Sequence, residues 1–285
     1  MSSWQTPKTN WGRPGQTVPV ADDFNRIEGN IQHLQDTKET PAGAQAKAEA
    51  AAAAAVAAHN TNVAAHGGIR GKNLLINWDF RNPVNQRGQN KYTGSGYAVD
   101  RWYIYGDATA TINNEYLSIK TNAVAYIYFY QLIENPKAYY GKTLTFSVET
   151  ADGQIYTKTV TLPTSGTFDT SRLLIGDWLV NLYATEAEVS NNVFWFRFWC
   201  NTKADAIINL RRVKLELGTV STLANDPPAD YGEQLMLCKR FFRLWKTEAA
   251  RTEALKEVGL MRIPNPTLGT INISGTTYYY ASADL

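Results

Sequence analysis

Histidine, cysteine and methionine are nearly missing from this chain: its 285 residues hold three His, two Cys and three Met. The histidines are His33, His59 and His66, all N-terminal to the stretch that reads as β-structure. That stretch has no imidazole to serve as base for a serine or cysteine nucleophile, which excludes triad chemistry there. Cys200 and Cys238 are too far apart for a zinc knuckle or a CxxC redox pair, and each is expected as a free, buried thiol. Phosphate-loop, HExxH and EF-hand spacings are absent as well. Nucleotide, zinc and calcium-switch chemistry is therefore unsupported, and no cofactor or metal is expected. An excess of one charge sign is also missing, since 28 basic residues meet 26 acidic ones for a formal net charge of +2. Such a balance attracts neither nucleic acid nor anionic lipid. No apolar run reaches membrane length, so no membrane insertion is expected, and Met1 to Gly15 lacks the basic start and apolar run of a secretory leader. Synthesis in the cytoplasm is the expectation, with release left to another agent.

Aromatic residues, by contrast, are plentiful at 12%, with 16 Tyr and 8 Trp. Their apolar faces and polar edges suit wet recognition surfaces. Before them the chain reads as helix. Val20, Phe24, Ile27, Ile31 and Leu34 follow a 4-3-4-3 spacing, the pattern of a seam between helices. Asp22 and Asp23 suit a helix N-terminus, and Pro41 and Gly43 interrupt the run. Ala42 to Ala58 is dominated by alanine, which has high helix propensity but too little side chain for a globular core. Val56, His59, Val63 and His66 continue at 3-4-3 spacing. Residues 20–66 are thus expected to form a stalk, with Phe24, Ile27, Ile31, Leu34, Val56, His59, Val63 and His66 on its axis.

Gly67 and Gly68 end the helical texture, and from Lys72 short apolar or alternating runs are punctuated by turns such as Gly94-Ser95-Gly96, Asp152-Gly153 and Asn191-Asn192. Residues 72–218 predict a two-sheet jelly-roll sandwich. A loop with Asp226, Pro227 and Pro228 follows, then a helix-like run from Tyr231 to Trp245 and a short β-rich piece with Ile271, Ile273 and Tyr278 to Tyr280. The segment 219–285 is too small for a robust core and is expected to pair with the sandwich or with other copies. The fold class is therefore mainly β with an N-terminal α stalk: a coiled coil, an antiparallel jelly-roll sandwich and a small β-rich C-terminal segment.

Three segments carry a family resemblance. Trp4-Gln5-Thr6-Pro7-Lys8-Thr9-Asn10-Trp11 is followed by Asp23-Phe24-Asn25-Arg26-Ile27-Glu28. Asn73-Leu74-Leu75-Ile76-Asn77-Trp78-Asp79-Phe80 precedes Asn85-Gln86-Arg87-Gly88 and Tyr97-Ala98-Val99-Asp100-Arg101-Trp102. Val213-Lys214-Leu215-Glu216-Leu217-Gly218 leads to Leu237-Cys238-Lys239-Arg240-Phe241-Phe242. Together they resemble tail-fibre and receptor-binding proteins of prophages and phage-like bacteriocins, mainly those of Gram-positive hosts. The resemblance implies a homotrimer fixed to baseplate or tail proteins through residues 1–19. It also implies a carbohydrate-module-like jelly roll that touches bacterial cell-surface sugars, on a particle tail assembled in the cytoplasm and acting outside the cell. It supplies no catalytic motif, and the chain is expected not to be an enzyme. A polysaccharide-cleaving tail enzyme and a purely structural baseplate connector are the rival readings.

For sugar recognition the strongest strand is Val193–Cys200, where Phe194, Phe196 and Phe198 alternate with Trp195, Arg197 and Trp199. The first set reads as core; the second is a ladder that should meet a ligand, a neighbouring subunit or the C-terminal tail. Tyr126, Tyr128 and Tyr130 form a second ladder opposite Ile127 and Phe129. The loop Asn85 to Tyr97 has the composition of a recognition loop, with Asn90 and Tyr92 as its ligand candidates. Asp100, Glu115, Glu134, Asp152, Asp169 and Asp177 are the carboxylates that a glycosidase could draw on, though solvated turn and strand-end groups explain them more simply. The helical seam makes one direct prediction. Replacing Phe24, Ile27 and Ile31 by Asp puts carboxylates around the axis, so the triple variant is expected to sediment as a monomer where the wild type sediments as a trimer.

Overall fold

The computed structural model describes residues 4–6, 19–61, 71–201, 203–257, 260–263 and 265–283, the side chains of 57–61 excepted. The chain divides into two compact units, 1–66 and 67–285.

The first unit contains α1 (Ala21–Thr37) and α2 (Pro41–Thr61). Asp22 and Asp23 occupy the first turn of α1, where the helix dipole favours negative charge, and the Asp23 carboxylate accepts from the Val20 N–H at 3.2 Å. Thr40 starts α2 by accepting from the Gly43 N–H at 3.1 Å, and Pro41 fills the first helical position, where no N–H is needed. Phe24, Ile27, Ile31 and Leu34 are between 43% and 57% exposed, so the described residues leave the seam uncovered. Val56 is exposed too. The His59 side chain, Val63 and His66, also expected on the axis, lie outside the described residues. The short piece Trp4–Thr6 is tied to α1: Gln5 and Asn30 exchange two hydrogen bonds at 2.8 Å, and Arg26 donates to the Thr6 carbonyl at 2.9 Å.

In the second unit the described strands, numbered in chain order, form three antiparallel sheets. The first sheet runs β1 (Lys91–Thr93), β4 (Ala108–Asn113), β5 (Tyr116–Thr121), β13 (Ile207–Leu217), β7 (Thr143–Thr150), β8 (Ile155–Thr161). The second runs β10 (Leu173–Ile175), β11 (Trp178–Ala184), β12 (Val193–Cys200), β6 (Ile127–Glu134), β3 (Tyr103–Tyr105), β2 (Gly96–Tyr97), with β9 (Phe168–Asp169) also on β11. One core lies between these two sheets. Across it Phe146 of β7 meets Phe196 of β12 edge-on at 6.0 Å, and Trp102 stacks on Phe129 at 4.9 Å. Phe194, Phe196 and Phe198 are fully buried, as their alternation requires. Cys200 and Cys238 are both free and buried. Leu74 to Asn77 lie in the stretch expected to be β but form no strand; the chain bends there, and the Asn77 carboxamide bridges Val84 and Asp100.

The expected helix from Tyr231 to Trp245 needs correction. Helix α4 (Tyr231–Cys238) stops early, and Phe242–Trp245 is instead β14, pairing with β16 (Thr276–Ser282) in the third sheet, whose order is β14, β16, β15 (Thr267–Ile273). Long-range pairing overrides local helix propensity here. Cation–π contacts hold this C-terminal sheet to the sandwich, with the Arg101 guanidinium 3.6 Å from the Phe241 ring centre and that of Arg87 4.0 Å from Phe242. Gln86 adds a hydrogen bond to the Phe242 carbonyl at 2.8 Å. Gly88, at φ +69°, is required by close approach as well, because Ile273 leaves no room for a Cβ.

On the outer side of the first sheet Lys214 is almost fully buried. Its Nζ donates to both Asp226 carboxylate oxygens at 2.8 and 2.6 Å and to the Thr222 hydroxyl at 2.6 Å, with Glu216 3.5 Å away. Asp226 thus clamps its Pro-Pro loop over the sheet. Lys214→Ala would strand two buried carboxylates and is expected to lower the urea unfolding free energy by about 3–5 kcal/mol.

Candidate functional site

Alternation along β6 and β12 decides what the outer face of the second sheet presents. Ile127, Phe129, Gln131 and Ile133 point inward, which turns Tyr128, Tyr130 and Leu132 outward. Trp195, Arg197 and Trp199 take the same outward side of β12. The register then lines these residues up in rows. Tyr105, Tyr128, Trp199 and Leu179 form one row, Tyr103, Tyr130, Arg197 and Asn181 the next, and Leu132, Trp195, Tyr183 and Asp169 a third.

The rings form a continuous surface. Tyr130 stacks on Trp195 at 4.1 Å, Tyr128 meets Trp195 edge-on at 5.8 Å, and Tyr126 lies nearly parallel to Tyr128 at 6.4 Å. Tyr105 and Tyr126 are exposed, while Tyr128, Trp195 and Trp199 are half-buried. Burial pushes the Tyr128 and Tyr130 hydroxyls up from their usual range, so at neutral pH both remain protonated donors. The Trp199 indole N–H is buried with no hydrogen-bond partner among the described residues.

Arg197 lies beneath the rings rather than beside them, at only 6% exposure. Its guanidinium stands 3.7 Å from the Tyr183 ring centre, donates through Nε to the Asn181 side-chain Oδ1 at 2.9 Å and sits 3.5 Å from Asp169. Asn181 in turn donates to Asp169 at 2.5 Å. Burial lowers the proton affinity of Arg197, and Asp169 opposes that shift. The expected role of Arg197 as a ligand group is therefore corrected: it positions the aromatic face from below.

Of the expected ligand residues, Tyr126, Tyr128, Trp195 and Trp199 come together on this face. Asn90 and Tyr92 do not. Asn90 is exposed at the start of β1, on the edge of the other sheet, and its carbonyl accepts from Ile112 at 2.9 Å. Tyr92 is withdrawn from ligand by its burial in the core, because strand alternation turns it inward between exposed Lys91 and Thr93. Its hydroxyl donates to Asn85 and accepts from the Gln89 N–H at 3.2 Å. Each of the six carboxylates considered for hydrolysis has a partner in the fold: Asp100 with Arg87, Glu115 with Arg211, Glu134 with Arg262, Asp169 with Arg172, Asp177 with Lys203, and Asp152 within its own turn.

Tyr103, Tyr105 and Tyr183 belong to the face but were not singled out in the sequence, although Tyr103-Ile104-Tyr105 carries the same alternation as β6. At one end a pocket of about 450 Å³ is closed by α3 (Glu186–Ser190) and by Arg262 of the C-terminal segment. No local signal marks either as part of a site.

No protein-family model and no curated protein matches this chain. Among solved structures it is similar to the family 11 carbohydrate-binding module of a cellulosomal cellulase of Clostridium thermocellum, at 12% identity over 54% of this chain and 98% of that module. The TM-score is 0.25, too low for the likeness to carry an argument, and the site stands on its own geometry. Arg197→Ala would leave the buried Asn181 side-chain oxygen without its donor and remove the charge beside Asp169, and is expected to destabilise the sandwich by roughly 1.5–3 kcal/mol in thermal unfolding.

Proposed function

We propose that this chain is a receptor-binding fibre protein of a phage-type tail, which attaches to bacterial surface glycans through the aromatic face of its second sheet. The observation that carries the reading is the outward aromatic face of Tyr105, Tyr126, Tyr128, Trp195 and Trp199 over the Arg197–Asn181–Asp169 support. Sugar rings have apolar C–H faces that stack on such surfaces, and their hydroxyls take up tyrosine O–H groups at the rim. An aromatic surface of this extent is costly to leave against water.

The fibre reading is supported by the three resembling segments, and the trimer by the exposed Phe24, Ile27, Ile31 and Leu34 seam of α1. Three copies of a weak glycan site, one on the β-sandwich of each chain of the trimer, would bind a repetitive cell surface by avidity. Attachment by itself needs no bond cleavage, which is consistent with a non-enzymatic role.

A microbial glycan array probed with the full chain tests the reading. Binding without new reducing ends is expected, and Tyr128→Ala or Trp199→Ala should each weaken it by roughly 2 kcal/mol, about thirtyfold, at unchanged melting temperature. Release of new reducing ends would assign the face to hydrolysis. If the two substitutions changed sedimentation and left glycan retention intact, the face would be a contact between subunits.

A further inference from the structure

The pocket at the end of the aromatic face differs in chemistry from the face itself. Its floor is the Tyr130–Trp195 stack, and its polar groups come from three places in the chain: Tyr130 on β6, Glu188 and Asn191 at α3, and Arg262 in the C-terminal segment. These groups are fixed, yet each has bonding capacity left over. Glu188 accepts from the Thr185 N–H through Oε2 at 2.9 Å and from the Thr185 hydroxyl, while Oε1 accepts no hydrogen bond among the described residues. Burial would raise the Glu188 carboxyl, but the Thr185 hydrogen bonds outweigh it and hold the group below its usual range, so it is an anion at neutral pH. The Trp195 N–H lies close to that carboxylate without reaching hydrogen-bond geometry. Arg262 pairs with Glu134 through Nε, and its two terminal nitrogens donate to no described residue. The Tyr130 hydroxyl and the Asn191 carboxamide, which also line the pocket, hydrogen-bond to no described residue.

The pocket therefore combines one stacking surface with an acceptor anion, a donor cation and two groups that do both. Hydroxyls on adjacent ring carbons match that set, since each donates one proton and accepts another. Charge sets a further limit. Arg262 is already neutralised by Glu134, whereas Glu188 has no cationic partner among the described residues, so the groups of the pocket together are negative and repel an acidic group. Its place at the closed end of the rows, where α3 packs against β12 and β11, makes it an end stop rather than a stretch of open groove.

We infer that this pocket holds the terminal residue of a bound glycan and selects an uncharged pyranose over an acidic one, with Glu188 as the discriminating group and Arg262 as a hydroxyl donor. This rests on the glycan-binding reading of the adjoining face. The C-terminal segment then takes part in recognition directly, by delivering Arg262.

The test uses the full chain on an array of matched oligosaccharides that end either in a neutral hexose or in a uronic or sialic acid. The wild type is expected to favour the neutral member of each pair by about tenfold or more. Glu188→Gln keeps an acceptor for the Thr185 N–H and so preserves the start of α3; it is expected to bring the ratio to within about twofold while neutral binding persists. Arg262→Met should weaken neutral binding and, by leaving Glu134 unpaired, shift the ratio further toward the neutral member. A ratio unchanged by Glu188→Gln overturns the pocket assignment, and it leaves the aromatic face intact if Trp199→Ala still weakens retention about thirtyfold. A wild-type chain that binds none of the glycans overturns both.

Discussion

Phe146 and Phe196 meet across the interior at 6.0 Å, and the arrangement of the second unit depends on that layer of aromatic contacts. With Phe194, Phe196 and Phe198 committed to the core, β12 has no freedom left: Trp195, Arg197 and Trp199 must stand on the other side. The same holds for β6, where Ile127 and Phe129 face in and Tyr128 and Tyr130 face out. Both sides of the two central strands are aromatic, but only one can be core. The aromatic face is thus a direct consequence of how the interior is packed.

Polar groups buried at the sheet surfaces add geometry more than stability. Lys214 with Asp226 and Glu216, and Arg197 with Asp169 and Asn181, set charges in places where desolvation offsets much of their attraction. What these groups supply is position. Lys214 ties the loop before α4 onto the first sheet, and Arg197 fixes the support under Tyr183 and Trp199. The arginines Arg87 and Arg101 do the same for the C-terminal sheet by lying on Phe242 and Phe241, and that docking brings Arg262 to Glu134 at the end of the aromatic face.

The helical unit follows a different logic. Its apolar seam has no cover among the described residues, and its alanine-rich second helix has little to bury, so its order draws on other copies under the reading proposed above. Recognition and assembly are then divided between units built from different periodicities, 3.5 in one and 2 in the other.

How much of this was legible in the sequence depended on the range of the interactions involved. Helix starts, the bare 4-3-4-3 seam and the inward and outward sides of β6 and β12 follow from local spacing, because side-chain direction in a strand or helix is set by the backbone period alone. For that reason Tyr126, Tyr128, Trp195 and Trp199 could be named before the structure, while the inward turn of Tyr92 could not: its short strand needed a partner before its phase was defined. The rest required contacts distant in sequence. Arg197 is buried only because β9 and β11 bring Asp169 and Tyr183 over it, and β14 is a strand only because β16 pairs with it. Glu188 and Arg262 line one pocket from positions 74 residues apart, a juxtaposition that no local pattern encodes and that tertiary packing alone decides.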